Sequence, residues 1–187
     1  GDAGEGAVGY LLGEEHQGMR YMFKMMNNAR LGVGVEGLAV SERSIQLASD
    51  YAQERRQGRA VGSPAGEQSL IIDHADVRRM LLTMRAYTDA MRGVLYLNAA
   101  CLDIARNHSD EDIAQAASDR AELLTPISKG WCTDIGCEMT SIGIQVHGGY
   151  GYIEETGAAQ HFRDARISPI YEGTNGIQAI DLVGRKV

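Results

Sequence analysis

Long hydrophobic runs are missing from this sequence. Hydrophobic residues make up 44% of its 187 positions, yet no apolar run approaches the roughly 20 residues that a helix needs to cross a bilayer. A signal peptide and an initiator methionine are missing too, since the chain opens with Gly1-Asp2-Ala3-Gly4-Glu5. We therefore expect no membrane span, and a chain that is a piece of a longer protein or a product of processing.

Positive charge and cysteine are also scarce. The sequence has 18 lysines and arginines against 25 aspartates and glutamates, a net charge of −7, which disfavours unaided binding to nucleic-acid phosphates. Its cysteines, Cys101, Cys132 and Cys137, are odd in number, lie in helix-like segments and form no Cys-x-x-Cys pair. They are expected to be buried, reduced thiols of a cytoplasmic protein, with no disulfide framework or metal site.

Apolar residues recur at three- and four-residue steps along most of the chain, which is typical of helices. The predicted helices cover approximately residues 30–56, 73–102, 111–147, 155–166 and 175–187. Asp73 is the expected N-cap of the second helix, and Pro126 is expected to kink the third helix or restart it with Thr125 as a cap. Long helices joined by short loops, without a sheet, predict an all-α, antiparallel four-helix bundle.

The glycine-rich residues 1–13 do not fit this helical pattern. Val8, Tyr10, Leu11 and Leu12 are typical of the frayed end of a strand, but no later segment offers an alternating pattern to pair with it. A lone strand is unstable, so its partners are expected to lie outside this chain.

A conspicuous bend follows the fourth predicted helix. Pro169 disfavours helix at Ser168 and predicts an extended entry to the bend. Glu172 then lies between an apolar pair and Gly173, just before Thr174, which is able to cap a new helix. A carboxylate at an aromatic-lined bend facing a helix N-terminus is a candidate general base. An exposed loop glutamate without a catalytic role is the alternative interpretation.

Four separated segments resemble those of the acyl-CoA dehydrogenase family. They are Met26-Asn27-Asn28-Ala29-Arg30, Tyr51-Ala52-Gln53-Glu54-Arg55-Arg56-Gln57-Gly58, the run from Gln145 to Tyr152, and the run from Arg163 to Gln178. Their amino-acid sequences are most similar to those of the branch that contains methylmercaptopropionyl-CoA dehydrogenase. The resemblance implies that residues 14–187 form the family's C-terminal helical bundle domain and that residues 1–13 are the end of a missing β-domain.

The resemblance implies a reaction and residues that perform it. Family members remove the α-proton of an acyl-CoA and pass the β-hydrogen as hydride to N5 of FAD, which gives the 2,3-enoyl-CoA. Glu172 matches the family's base, whereas Ala29 stands where some relatives place theirs. Arg30, Asn27 and Gly173 are implied to bind or orient the substrate and the base. Asn27 replaces an aspartate common in this motif, and an ordinary surface arginine is the alternative for Arg30.

The resemblance also implies cofactor contacts. Arg55 matches an arginine that reaches the FAD of a neighbouring subunit, and Gln145, Gly148 and Gly149 match the segment beside the FAD adenosine. Thr174 is able to donate to a phosphate or ribityl oxygen. The alternatives are a solvated helix end for Arg55 and a helix C-cap that serves only the fold for the glycines.

The implied partners are an acyl-CoA substrate and electron-transfer flavoprotein as the acceptor, within a homodimer or tetramer. The isolated chain is expected to be inactive, since half of the flavin pocket would come from absent domains. One rival interpretation is a protein similar to the alkylation-response relatives, which bind flavin or nucleic acid without dehydrogenation and carry a basic patch; the net charge of −7 argues against it. A second rival is an oligomerising helical module without activity.

Overall fold

The computed structural model describes residue 4 and residues 6–186, and most of this chain is helical. Helices α1, α2 and α3 are long, and α4, α5 and α6 are shorter. They cover Gly18–Glu54 (α1), Ala75–Asn107 (α2), Glu111–His147 (α3), Gly149–Tyr152 (α4), Ala158–Ile167 (α5) and Asn175–Asp181 (α6). Short 3-10 turns lie at Ile71–Asp73 and Glu154–Thr156, and a π-helical turn, Leu182–Lys186, follows α6. The predicted all-α class is confirmed.

The three long helices pack side by side in a fixed register. Gly34 of α1 lies against Leu95 of α2 and Ser128 of α3, and further along α1 Ser44 lies against Met84 and Gly143 of the same two helices. From the first set of contacts to the second, the residue numbers of α1 and α3 increase while those of α2 decrease. Helix α2 therefore runs antiparallel to both. The short helix α5 packs against α1 and α3 and completes the bundle.

Small residues let α1 and α3 approach closely. A Cβ atom added to Gly37 would lie 2.5 Å from the main-chain oxygen of Cys132, and one added to Gly34 would lie 2.7 Å from that of Ser128. Only glycine leaves room for such an approach. This contact fixes α1 relative to α3 beneath the loop that precedes α6.

The core lies between the three long helices. Apolar residues of α1 pack against methionines of α2 and α3. The core residues include Leu38, Ile45, Ala48, Ala52, Met80, Met84, Met91, Ile135, Met139 and Val146. Cys101 and Cys132 are buried, as expected, whereas Cys137 is only partly buried. Burial raises the pKa of Cys132 to about 12, which makes that thiol unreactive.

Several predicted boundaries are wrong. Helix α1 begins at Gly18 rather than near residue 30, because residues 18–29, which include four methionines, are also helical. Asp73 does not cap α2; it lies in a 3-10 turn, and His74 occupies the cap position without a side-chain cap bond. Pro126 does not restart α3, since α3 is continuous through it. The hydroxyl of Thr125 donates to the main-chain oxygen of Ala121 (2.7 Å) instead of capping.

Residues outside the helices form no β-sheet in the described part of the chain. Arg56 and Leu70 make one isolated antiparallel bridge at the ends of the loop between α1 and α2. Residues 6–12 are exposed and carry no strand, and residues 1–3 and 5 lie outside the described residues, so the assignment of residues 1–13 to a missing β-domain stays a prediction. Across residues 6–186, no helix has the length and apolar composition that a bilayer crossing requires.

Candidate active site and cofactor groove

Glu172 lies at the tip of a tight loop between α5 and α6. Its φ angle is +55° and that of Gly173 is +84°, so a non-glycine residue occupies the left-handed region, which costs it energy. The predicted extended entry is wrong, because Ser168 has helical angles and main-chain bonds to the oxygen of Ile167 continue the turn past Pro169. Glu172 is half-buried.

The base of this loop is closed. The main-chain N–H of Asn175 donates to the oxygen of Pro169 over 3.1 Å, and the amide of Gln178 donates to the oxygen of Gly173 over 3.1 Å. Thr174 occupies the N-cap position of α6, but its side chain makes no cap bond, contrary to the prediction. Its hydroxyl is therefore not committed to the helix.

Arg30 lies beneath the loop. It is 7% exposed, so the interpretation of Arg30 as a surface arginine is wrong. Its Nη1 atom donates to Asp181 Oδ2 at 3.2 Å and to Asn27 Oδ1 at 3.4 Å, and its Nη2 atom lies 3.8 Å from where a Cβ of Gly173 would stand. The structure thus brings Arg30, Asn27 and Gly173 together around the loop of Glu172, while Asp181 neutralises the guanidinium.

A second cation lies on the opposite side of the loop, on α3. Lys129 is fully buried, and its Nζ atom donates to Asn175 Oδ1 at 2.9 Å. The Asn175 amide in turn donates to Gly130 O at 3.0 Å, Thr133 Oγ1 at 2.9 Å and Asp134 Oδ1 at 2.7 Å. Asn175 therefore joins the end of the loop to one face of α3.

Burial and nearby charges act on Lys129 together. Burial lowers the pKa of this lysine, the negative charges of Asp134 and Glu172 oppose that effect, and the positive charge of Arg30 adds to it. The net result is a lowered pKa. The same four groups are thus close enough to influence one another's charge.

Tyr171 connects the loop to α1 by a different contact. Its hydroxyl donates to the carboxylate of Glu36. Burial raises the pKa of Tyr171, and the bond to Glu36 and the negative charge of Glu172 raise it further, to about 12. The residue next to the candidate base is therefore a neutral phenol with a fixed partner.

A separate groove lies at the other end of α1. It has a volume of about 390 Å³, and Arg55, Gln145 and Gly148 all line it together with Tyr51 and His74. The Arg55 guanidinium lies 5.8 Å from the centre of the Tyr150 ring. The neighbouring Arg56 instead donates to the main-chain oxygen of Gln68. Among the two arginines, Arg55 is the one that faces the groove.

The glycines predicted to lie beside a cofactor leave main chain open. Gly148 ends α3 with φ +62°, as expected of the His147-Gly148-Gly149 run, and Gly149 begins α4. A Cβ added to either glycine would meet nothing within 4 Å. Thr174 is the one predicted cofactor residue that lies at the Glu172 end rather than at this groove.

The two sites are far apart within one chain. At a rise of about 1.5 Å per residue, α1 spans about 37 Å between Arg30 and Arg55. The Glu172 loop and the Arg55 groove therefore do not face one shared pocket within this chain.

These features agree with comparisons to known proteins. The model of the acyl-CoA dehydrogenase C-terminal domain matches residues 16–187. The chain belongs to the acyl-CoA dehydrogenase family. It is 52% identical over 183 residues to 3-methylmercaptopropionyl-CoA dehydrogenase from Ruegeria pomeroyi, a match that covers 98% of this chain and 31% of that protein. The predicted resemblance to that branch is confirmed.

Solved acyl-CoA dehydrogenase structures share the fold. The Caenorhabditis elegans protein ACDH-11, in complex with C11-CoA, superposes with a TM-score of 0.79 and 26% identity over 92% of this chain and 27% of that one. A Bacillus anthracis acyl-CoA dehydrogenase complexed with FAD gives a TM-score of 0.78 at 24% identity, over 92% of this chain and 29% of that one. This chain therefore spans less than a third of the length of these family members.

Sequence reasoning missed several residues of the site. Lys129, Asn175, Gln178 and Asp181 were not singled out, although all four contact the Glu172 loop or the arginine beneath it. One signal was available for Lys129, since it falls on the helical stripe that carries the buried residues of α3. The contacts of the other three depend on how α6 packs in the bundle, which the helical periodicity does not predict.

Proposed function

We propose that this chain is the C-terminal part of an FAD-dependent acyl-CoA dehydrogenase that oxidises an acyl-CoA thioester to the 2,3-enoyl-CoA, with Glu172 as the base. The proposal rests mainly on the positive φ angle of Glu172. This residue lies at the tip of a loop whose two ends are joined by the hydrogen bond from Asn175 to Pro169. A non-glycine residue in this conformation is maintained only where the surroundings impose it, and such residues cluster at active sites.

The residues at this end suit proton abstraction from carbon. The α-proton of a thioester is a weak acid, so its base must be aimed and partly withdrawn from water. Glu172 is half-buried on a loop tied to α1 by Tyr171 and to α3 by Asn175. Its carboxylate would accept the α-proton, while its main-chain N–H would donate to the thioester carbonyl, where negative charge develops.

Arg30, Asn27 and Gly173 would orient the base. Arg30 is held by Asp181 and Asn27, so it acts as a fixed support under the loop. Gly173 supplies the positive φ angle that follows Glu172, a conformation that other residues adopt at a cost. Ala29 has no proton-accepting group, so Glu172 carries the role alone.

The Arg55 groove fits a phosphate-bearing cofactor. An exposed guanidinium donates to two oxygens of a pyrophosphate at once, and the open main chain at Gly148 and Gly149 permits close approach. We assign Arg55, Gln145, Gly148 and Gly149 to the adenosine and pyrophosphate of FAD, and Thr174 to its ribityl or phosphate oxygens. Bound FAD would supply the acceptor of the β-hydride at N5 of its flavin ring.

The distance between the two sites supports a homodimer or tetramer. With about 37 Å between Arg30 and Arg55, the groove of one protomer would hold the FAD that serves the Glu172 loop of another. Electron-transfer flavoprotein is the proposed electron acceptor. The isolated chain, which lacks the remaining flavin contacts, is expected to be inactive.

The activity is tested with the full-length, flavin-loaded protein. Anaerobic addition of acyl-CoAs of different chain length should bleach the flavin absorbance, and 3-methylmercaptopropionyl-CoA is the first to try because of the relative named above. Free CoA is the control and should leave the spectrum unchanged. A flavin that no acyl-CoA bleaches would contradict the proposal.

A further inference from the structure

We propose that Lys129 is a positioning residue for Glu172, acting through Asn175. The inference rests on the proposed function, because it assigns Lys129 a part in proton abstraction by Glu172. It starts from an anomaly in the bundle. A lysine whose side chain is fully buried in a helix interior is costly, since its ammonium group loses its water shell.

The partners of Lys129 do not neutralise this charge. Its ammonium bonds to an amide oxygen, Asn175 Oδ1, at 2.9 Å, and within residues 6–186 it makes no ion pair at 4.0 Å or less. Arg30, the other buried cation of the site, differs in this respect because it pairs with Asp181 at 3.2 Å. The buried ammonium group is therefore held by an amide side chain, that of Asn175.

Asn175 transmits the effect to the loop. Its side chain bonds to Lys129, Gly130, Thr133 and Asp134 of α3, while its main-chain N–H closes the loop onto Pro169. The side chain therefore anchors the end of the loop that carries Glu172. Without Lys129, the Asn175 oxygen would lose its charge-assisted bond, and the loop would be held less firmly to α3.

The test compares full-length Lys129→Met, Asn175→Ala and the double variant with wild type. Methionine keeps the length and apolar stem of lysine but removes the charge. Lys186→Met is the matched control, because it removes a half-buried lysine that pairs with Glu122 of α3 and makes no bond to the loop. Flavin content, the rate of flavin reduction over a range of acyl-CoA concentrations, and hydrogen exchange of peptides spanning residues 168–178 are measured for each.

The proposal predicts a specific pattern. Lys129→Met and Asn175→Ala should each slow flavin reduction about ten- to a hundredfold at unchanged flavin content, since misplacement of a reacting group by roughly 1 Å has costs of this size. The double variant should be little worse than Asn175→Ala alone, because Asn175→Ala already removes the acceptor of the Lys129 bond. Exchange in residues 168–178 should rise, and the loss should appear in the limiting rate rather than in the acyl-CoA concentration that gives half of it.

Three outcomes would separate the hypotheses. Wild-type rate and exchange in Lys129→Met, with Glu172→Gln inactive, would overturn the role of Lys129 and leave the proposed function standing. Slow reduction that reflects only a weaker apparent affinity for acyl-CoA, with unchanged exchange in residues 168–178, would also overturn the proposal. An active Glu172→Gln would instead overturn the proposed function. If Lys129→Met fails to fold, the half-exposed Asn175→Ala variant decides by the same exchange and rate measurements.

Discussion

The two ends of helix α1 are built in contrasting ways. At the Arg30 end, charged and amide side chains are buried, bonded to one another, and arranged around the Glu172 loop. At the Arg55 end, Arg55 and Gln145 are exposed around an open groove with bare main chain at Gly148. At the first end the side chains bond to one another within this chain, whereas at the second they line an open groove.

This contrast matches two kinds of chemistry. Proton abstraction from carbon requires a base whose position is fixed and whose surroundings exclude water. Binding of a pyrophosphate requires an accessible cation and main chain that permits close approach. The contrast supports the proposal that catalysis belongs to the Glu172 end and cofactor binding to the Arg55 end. The predictions below are designed to separate those two roles.

The largest effect is expected from Glu172→Gln in the full-length enzyme. Glutamine keeps the shape of glutamate but is not able to accept the α-proton, so flavin reduction should fall by roughly 10²–10⁴-fold or more. Stopped-flow bleaching of the flavin measures this rate. Adding Ala29→Glu to that variant should restore part of the activity, because a carboxylate would again stand near the loop from the α1 side; the same change alone is its control.

Arg55→Ala should act on cofactor affinity. Loss of a charge-assisted contact should cost about 1.5–3 kcal/mol, or roughly ten- to a hundredfold in FAD affinity. Retention of flavin through serial dilution measures the change. Arg56→Ala is the matched control, because Arg56 bonds to the main-chain oxygen of Gln68 and should leave FAD affinity unaltered. Equal retention by Arg55→Ala and wild type would refute the assignment.

Gly173→Ala probes the rigidity of the Glu172 end. Alanine at φ +84° should destabilise the fold by about 1–2 kcal/mol, and its Cβ would also stand 3.0 Å from the amide nitrogen of Gln178. Gly176→Ala is the control, since Gly176 lies in α6 without a positive φ angle and its Cβ would meet nothing closer than 3.9 Å. Thermal unfolding should separate the two, with Gly173→Ala lower and Gly176→Ala equal to or above wild type.

A small effect on stability is expected at Glu42, which lies in the middle of α1, away from both of its ends. Burial raises the pKa of this carboxyl, but the bond from Gln46 and the ion pairs with Arg92 and Arg85 outweigh it, so the pKa lies below 4.5. A lowered pKa in the folded state means that its stabilisation is present above 4.5 and lost as pH falls through the folded value. Glu42→Gln should therefore cost about 0.2–1 kcal/mol at neutral pH, and urea unfolding should show this difference vanish on acidification.

Much of the fold was predictable because it depends on local patterns. The apolar spacing of α2 and α3 and the glycine run after His147 gave their lengths and their ends closely. Errors arose where tertiary packing overrides local preference. Pro126 is buried inside a continuous α3, and Ser168 remains helical before Pro169, although both prolines locally favour a break.

The site was predictable only in part. Glu172, Arg30 and Arg55 carry motifs that a family resemblance identifies from the sequence. The contacts that hold them join distant segments. Lys129 bonds to Asn175, and Arg30 bonds to Asp181, which lies 151 residues further along the chain. No periodicity in the sequence encodes such pairings, because they depend on how α6 packs against α1 and α3. The positive φ angle of Glu172 is likewise imposed by that packing.

One paired measurement tests the division of roles most directly: flavin retention and the rate of flavin reduction by acyl-CoA, recorded together for full-length Glu172→Gln and Arg55→Ala. The account predicts that Glu172→Gln keeps its flavin like wild type and is not reduced. It predicts that Arg55→Ala loses flavin on dilution while its loaded fraction is still reduced. Reduction of Glu172→Gln at close to the wild-type rate would contradict the account.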